Sequence, residues 1–135
     1  MRQASFRLMR LKEHLEQGVE VLAFAGEVDL LYLPVLRTLL RQKLVCRCPL
    51  LLLDLAELEF IDSSGLAAFM GYHRDASAQH DGVLCLTTLN PAVRPIFDIV
   101  QFDRVIPIYP TNDLAIAAWK NGDLKPCRLR GMGKA

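Results

Sequence analysis

The sequence predicts an α/β fold, with about four helices around a mixed, mostly parallel sheet of about five strands. Three observations support this fold class. Strand and helix signals alternate along the chain after an opening pair of strands. The run Leu50–Leu53 is continuously apolar, as in a strand that is buried on both faces. Residues 33–44 carry apolar side chains at the spacing of an amphipathic helix.

The first two strands are predicted to form an antiparallel pair. Apolar residues in the segment 6–11 indicate the first strand, and the apolar run 19–25 indicates the second. A short polar link containing Glu13, Glu16 and Gly18 is expected to join them. Such a short connection suits antiparallel strands.

The middle of the chain is predicted to contain a helix, the central strand and a second helix. Residues 26–29 end the second strand, and Pro34 fits the first turn of the helix over 33–44. The central strand spans 50–54, and we expect a short acidic loop after it. The next helix is predicted from about Ser63 to about Gln79.

The last third of the chain continues the alternation after a stop signal at Asp81-Gly82. We expect Pro107 to place the last strand at the edge or end of the sheet. The predicted elements are a strand over 83–88, a helix over about 91–100, a short strand over 105–108, and a helix from a cap at 111–113 to about 119–122.

Length and composition predict one domain over residues 1–120 and a flexible C-terminal tail over 121–135. The 135 residues are 52% hydrophobic, enough for a real core, whereas the tail is rich in glycine and cations. A net charge of +1 gives no basic footprint for direct nucleic-acid binding. No apolar run reaches the roughly 18 residues that span a bilayer, and no signal peptide pattern is present. We therefore expect a cytoplasmic protein without membrane insertion.

The four cysteines indicate neither a metal site nor a disulfide. Cys46 and Cys48 are spaced C-x-C, and no second pair with zinc spacing follows. Cys85 lies in an apolar run, where cysteine acts as a small hydrophobe. Glycine loops that cradle phosphates are also absent. We expect no metal and no cofactor.

The residues around Ser63 argue against a serine hydrolase. A nucleophilic serine on a strand-to-helix turn is flanked by glycines that permit a strained elbow, but Asp62 precedes this serine. The nearest downstream histidine, His73, lies about 15 Å away along the helix.

A phospho-accepting aspartate, of the kind found in response regulators, is disfavoured at Asp54, which we interpret as a strand-end residue that bonds loop amides. That chemistry needs magnesium held by an acidic pair and a cation that meets the phosphoryl oxygens. The corresponding loops offer only the lone acids Glu27 and Asp29, and no lysine follows the last strand. We therefore predict that the chain is not an enzyme.

The segment Asp62-Ser63-Ser64-Gly65 is typical of a helix start. Side-chain oxygens of Asp and Ser accept hydrogen bonds from the unpaired N–H groups of the first turn. Taken alone, the segment predicts nothing more than such a cap. A phosphate on Ser63 would nevertheless meet the positive end of the helix dipole, which makes this serine a candidate switch.

The chain resembles the STAS domain (sulphate transporter and anti-sigma-factor antagonist), in particular the stand-alone bacterial anti-sigma-factor antagonists. The resemblance covers about residue 5 to Trp119, and its motifs follow the family's order and spacing. It rests on three blocks: residues 26–29, residues 53–55 with 60–66, and residues 89–94 with 102–108.

The resemblance implies a STAS-type fold and a regulatory role for Ser63. In such antagonists the serine at this position is phosphorylated by a partner that is both anti-sigma factor and serine kinase. The unphosphorylated antagonist binds this kinase and frees the sigma factor, and a serine phosphatase resets the cycle. A homodimer is compatible with this role. The implied partner-binding residues are Glu27, Asp29, Asp62, Ser63, Ser64 and Gly65.

The segment Leu30-Leu31-Tyr32 departs from the family pattern, which is more polar at this point. We expect these side chains to pack into the core as a staple at the helix N-terminus. The alternative is an enlarged hydrophobic contact with a partner.

Two other functions stay open at this point. STAS domains also serve as non-catalytic subunits of larger assemblies, such as stress-sensing scaffolds or lipid-transport ABC complexes. A nucleotide bound at the helix start of Ser63 is a third alternative, although no glycine loop supports it.

Overall fold

A computed structural model describes residues 9–126, which form one five-stranded sheet in the order β1-β2-β3-β4-β5. The strands are β1 (Arg10–Glu16), β2 (Val19–Val28), β3 (Leu50–Ile61), β4 (Val83–Thr87) and β5 (Ile108–Tyr109). The α-helices of this part of the chain are α1 (Leu33–Val45), α2 (Ser63–His80), α3 (Arg94–Ile99) and α4 (Asn112–Lys120), and a 3-10 helix spans Phe102–Arg104. Only β1 is antiparallel to its neighbour, so the predicted fold class is confirmed.

The central strand β3 is apolar on both faces because both faces of the sheet are covered. Leu51 and Leu53 belong to a cluster that includes buried residues of α1 and α2. Leu50 and Leu52 belong to a second cluster with buried residues of α4. All four leucines are at most 2% exposed, which explains the unbroken run.

Strand β1 differs from its prediction because it includes the residues expected to form a link. Glu13 and Glu16 lie within the strand, opposite Leu22 and Val19 of β2. The turn is limited to Gln17 and Gly18, both at positive φ. As an edge strand, β1 exposes most of its side chains, so its polar composition does not oppose pairing. Residues 6–8 lie outside the described part of the chain.

Strand β3 extends to Ile61, so the prediction of a short acidic loop after residue 54 is wrong. Two register shifts against β2 insert extra residues into this half of β3. As a result Leu55, Leu58 and Ile61 are buried at intervals of three, while Glu57 and Glu59 are exposed. Because of this spacing, this half of β3 lacks the alternation of apolar and polar residues by which a strand is predicted.

Helix α3 and strand β5 are shorter than predicted, whereas α4 has the predicted bounds. Helix α3 starts at Arg94 because residues 91–93 form a turn, and β5 contains two residues. Of the predicted tail, Leu124 is buried in the cluster around α4, and residues 127–135 lie outside the described range. No helix within residues 9–126 is long and apolar enough to cross a membrane.

Candidate functional site

Helix α2 starts directly after β3, with Asp62 as its N-cap. The extended backbone of Asp62 lets its Oδ1 accept hydrogen bonds from the N–H groups of Ser64 (3.0 Å) and Gly65 (3.1 Å). These are two of the four helix N–H groups that lack partners within the helix. The predicted cap is therefore present at this position, and it fixes the start of the helix.

Ser63 and Ser64 have different environments although they are neighbours. Ser64 is half-buried, and its hydroxyl donates to Asp62 Oδ1 at 2.6 Å. Ser63 is the first residue of α2 and is exposed. Within residues 9–126, no hydrogen bond involves the Ser63 hydroxyl. Ser63 is thus the accessible hydroxyl of the pair.

The turn between β2 and α1 lies against this helix start. The N–H of Asp62 donates to the carbonyl of Val28 at 3.1 Å, and its carboxylate accepts from the first turn of α2. Asp62 therefore binds backbone groups of both segments. Because parallel strands β2 and β3 end side by side, their following segments meet at one edge of the sheet.

The carboxyl group of Asp62 is stabilised in its ionised form. Partial burial would raise its pKa, but hydrogen bonds from the Ser64 hydroxyl and from the N–H groups of Gly65, Ser64 and Leu30 outweigh this effect. The net result is a pKa below the usual value of an aspartate. Next to Ser63 there is consequently a fixed negative charge at neutral pH.

Gly65 is buried and positions α2 rather than facing solvent. A Cβ atom at this residue would lie 2.8 Å from Cγ1 of both Ile61 and Val28. The helix therefore approaches the ends of β2 and β3 as closely as it does only because residue 65 has no side chain.

The other two predicted residues, Glu27 and Asp29, lie at the carboxyl end of β2. Glu27 is half-buried and is the register partner of Phe60. Asp29 Oδ1 accepts from the N–H groups of Leu31 (3.1 Å) and Tyr32 (3.4 Å), which shapes the turn before α1. The six predicted residues are thus placed at the adjoining ends of β2 and β3 and the start of α2.

Leu30 and Leu31 do not pack into the core, so our expectation for these two residues is wrong. Their exposed fractions are 65% and 88%, whereas Tyr32 is half-buried against the core. The periodicity of α1 could not predict this, because residues 30–32 form a turn before the helix. The signal in the sequence is Asp29, whose side chain commonly forms such turns.

Two other side chains that the sequence analysis considered, His73 and Asp54, have partners of their own. His73 is buried and hydrogen-bonded to the N–H of Leu84, so it does not face Ser63. Asp54 accepts from Ala56 and Asn112. Among residues 9–126 no group of side chains could hold a metal ion.

We expect Asp62→Ala to lower the free energy of unfolding by about 1–2 kcal/mol, because the N-cap of α2 is lost. The free energy of unfolding should fall much less in Asp62→Asn, because asparagine can still cap the N-terminus of α2. In the wild type, the lowered pKa of Asp62 adds stability that is present above its unfolded pKa and is lost as pH falls through the folded one. Urea unfolding of the three proteins between pH 7 and pH 3 measures both effects. Equal stability of Asp62→Ala and wild type at pH 7 would contradict this assignment.

A family model described as STAS domain matches residues 11–115 of the chain. The anti-sigma F factor antagonist of Paenibacillus polymyxa is 29% identical to it over 104 residues, which cover 75% of this chain and 88% of that protein. The sequence likeness therefore extends over the whole sheet and includes the start of α2.

Solved structures of antagonists share the fold. An anti-sigma factor antagonist from Mycobacterium paratuberculosis superimposes with a TM-score of 0.74 at 26% identity, covering 83% of this chain and 94% of that one. SpoIIAA in its unphosphorylated form gives 0.61 at 21% identity, covering 84% and 98%. The Bacillus SpoIIAA in its phosphorylated form gives 0.61 at 20% identity, covering 82% and 97%.

Proposed function

The chain belongs to the STAS domain family, and we propose that it is an anti-sigma-factor antagonist controlled by phosphorylation of Ser63. Unphosphorylated, it binds an anti-sigma factor that is also a serine kinase, and so releases the sigma factor. It performs no catalysis itself, and a serine phosphatase restores the binding form. This role belongs in the cytoplasm.

The accessible hydroxyl of Ser63 is the observation that carries this proposal. A kinase must reach the oxygen, and Ser63 is exposed at the first position of α2 while Ser64 is held by Asp62. The likeness to the named antagonist of Paenibacillus polymyxa supports the function, and SpoIIAA has been solved in a phosphorylated form.

The fold should tolerate a phosphate on Ser63. Phosphorylation adds about −1.5 to −2 charge at neutral pH. The helix dipole and the N–H groups of the first turn favour such an anion by about 1 kcal/mol. Repulsion from the ionised Asp62 acts against this gain. We therefore expect a change of surface charge without refolding.

The same phosphate would weaken the complex with the kinase. Binding removes water from the phosphate, which costs free energy unless the partner supplies matching charges. A kinase active site already holds nucleotide phosphates, and Asp62 adds a further negative charge beside Ser63. Like charges brought together at an interface oppose binding. A coupling of about 1–3 kcal/mol, five- to 150-fold in affinity, is a typical scale.

We expect the cognate serine kinase to phosphorylate the wild type on Ser63 and to leave Ser63→Ala unmodified. Ser64→Ala is the matched control, which keeps the accessible hydroxyl and should still accept phosphate. Ser63→Asp should bind the kinase about five- to 150-fold more weakly, with an unchanged circular dichroism spectrum. Phosphosite mapping by mass spectrometry and calorimetric titration give these results.

Two outcomes would count against the proposal. If Ser63→Asp bound the kinase as tightly as wild type, negative charge at residue 63 would not control binding. Alternatively, a stable complex that is insensitive to ATP would favour the role of a permanent subunit in a larger assembly.

A further inference from the structure

Two leucines on the turn before α1 expose most of their apolar surface. Leu30 is 65% and Leu31 is 88% exposed, and Val35, one helical turn further on, is also exposed. Neighbouring exposed apolar side chains mark sites of protein association. We infer that Leu30 and Leu31 form an apolar anchor that inserts into a pocket of the anti-sigma factor when it binds beside Ser63.

The anchor is held in one conformation by backbone hydrogen bonds. Asp29 Oδ1 accepts from the N–H of Leu31, and the Asp29 carbonyl accepts from Tyr32 at 3.0 Å. The Leu30 carbonyl accepts from Leu33 at 3.2 Å. A turn fixed in this way loses little conformational entropy on binding, which favours it as an anchor.

The anchor lies within the area that a partner reaching Ser63 must cover. The N–H of Asp62, the residue before Ser63, donates to the carbonyl of Val28 at 3.1 Å, and Leu30 follows Val28 by two residues. This arrangement places Leu30 within about 15 Å of the serine. A protein interface of standard size covers about 800 Å² on each side, a patch of roughly 16 Å radius. A kinase that reaches Ser63 therefore also covers this turn.

The charges around the anchor define the chemistry of the partner. Two carboxylates, those of Asp29 and Asp62, lie at the turn and at the adjoining helix start, where they accept hydrogen bonds from backbone N–H groups. Complementary interfaces pair opposite charges around an apolar centre. The matching surface on the anti-sigma factor is thus an apolar pocket with lysine or arginine at its rim.

This inference rests on the proposed function, and it can be tested separately from it. The probes are the serine-kinase anti-sigma factors of the source organism, purified one by one. The variants are Leu31→Ser and the double variant Leu30→Ser with Leu31→Ser. The matched control is Val45→Ser, which is 73% exposed at the opposite end of α1, about 20 Å away.

We expect Leu31→Ser to weaken binding about 10- to 100-fold, with a larger loss for the double variant, because the leucines no longer fill the pocket. Val45→Ser should bind like wild type. The KM for phosphorylation of Ser63 should rise in step with the loss of affinity, while kcat changes little. All variants should unfold at the wild-type temperature because the substituted side chains are exposed. Calorimetry and steady-state kinase assays give these values.

Three results would overturn the inference. If Leu31→Ser bound the kinase with wild-type affinity and Ser63 were phosphorylated normally, the inferred anchor would be contradicted and the proposed function would stand. Sedimentation could instead show that the wild type dimerises through these leucines, while their substitution leaves the affinity for the kinase unchanged. Failure of the wild type to bind or accept phosphate from any of the kinases would remove the proposed function as well.

Discussion

His73→Phe is expected to lower the free energy of unfolding by about 1–3 kcal/mol, because it leaves the buried N–H of Leu84 without its acceptor. His73 is 1% exposed in the middle of α2. Its Nδ1 accepts from the N–H of Leu84 at 3.3 Å. Its Nε2 therefore carries the proton, and the backbone of Val105 acts on the ring so as to raise its pKa.

The short strand β5 explains why this histidine is needed. On the outer edge of β4, the N–H of Leu86 donates to Pro107 and that of Thr88 to Tyr109. Leu84 points its N–H to the same edge, since alternate residues of a strand face the same neighbour. There β5 has not begun, and the ring of His73 supplies the acceptor.

The same histidine should make stability depend on pH. Burial lowers the pKa of His73, and the hydrogen bond to Val105 opposes this only in part. The unfolded chain therefore binds a proton at about pH 6.5, where the folded protein does not. Stability is complete above this pH and falls as pH decreases towards the folded pKa, by at most about 1.4 kcal/mol per pH unit.

Urea unfolding of wild type and His73→Phe between pH 8 and pH 5 would measure both effects. The difference between the two proteins should be largest at pH 8 and shrink below about pH 6.5. His14→Ala is the control, because His14 is exposed on β1 and should change stability by no more than about 0.5 kcal/mol. A pH-independent difference would show that His73 does not titrate in this way.

Gly65→Ala is expected to destabilise the fold by about 1–3 kcal/mol, as extra methyl groups do in packed sites. The new Cβ would lie 2.8 Å from carbons of Ile61 and Val28, which are themselves in the core. Either α2 or the ends of β2 and β3 must then move. Because Ser63 lies two residues earlier, we also expect slower phosphorylation by the kinase.

Gly71 in the same helix provides the control for Gly65. A Cβ there meets only the end of the Arg74 side chain, at 3.7 Å. Gly71→Ala should therefore stabilise the protein by about 0.5–1 kcal/mol, the usual gain from replacing glycine within a helix. Thermal unfolding of both variants should show shifts of opposite sign. Shifts of the same sign would rule out close packing as the reason for glycine at residue 65.

The sequence was sufficient for those features that depend on local patterns. The apolar run Leu50–Leu53 predicted the central strand because that strand is covered on both faces. The Asp62 cap could also be predicted, since capping needs only a carboxylate and the following N–H groups.

Other features depended on contacts between distant segments. The extension of β3 to Ile61 is stabilised by pairing with β2 through two register shifts, which no periodicity reveals. The role of His73 could not be predicted from the sequence, because it depends on the short β5, which leaves the N–H of Leu84 without a strand partner. The exposure of Leu31 follows from a turn shaped by Asp29, and helix spacing carries no information about it.

Ser63 is the first residue of a capped helix, and this position limits which kind of enzyme could remove a phosphate from it. Residues 62–65 cannot be stretched into an extended peptide without breaking the first turn of α2. On the proposed function, a phosphatase acting on Ser63 would need a shallow, open catalytic cleft that docks onto a folded surface. Recognition would then depend on the shape of the intact domain more than on the amino acids flanking the serine.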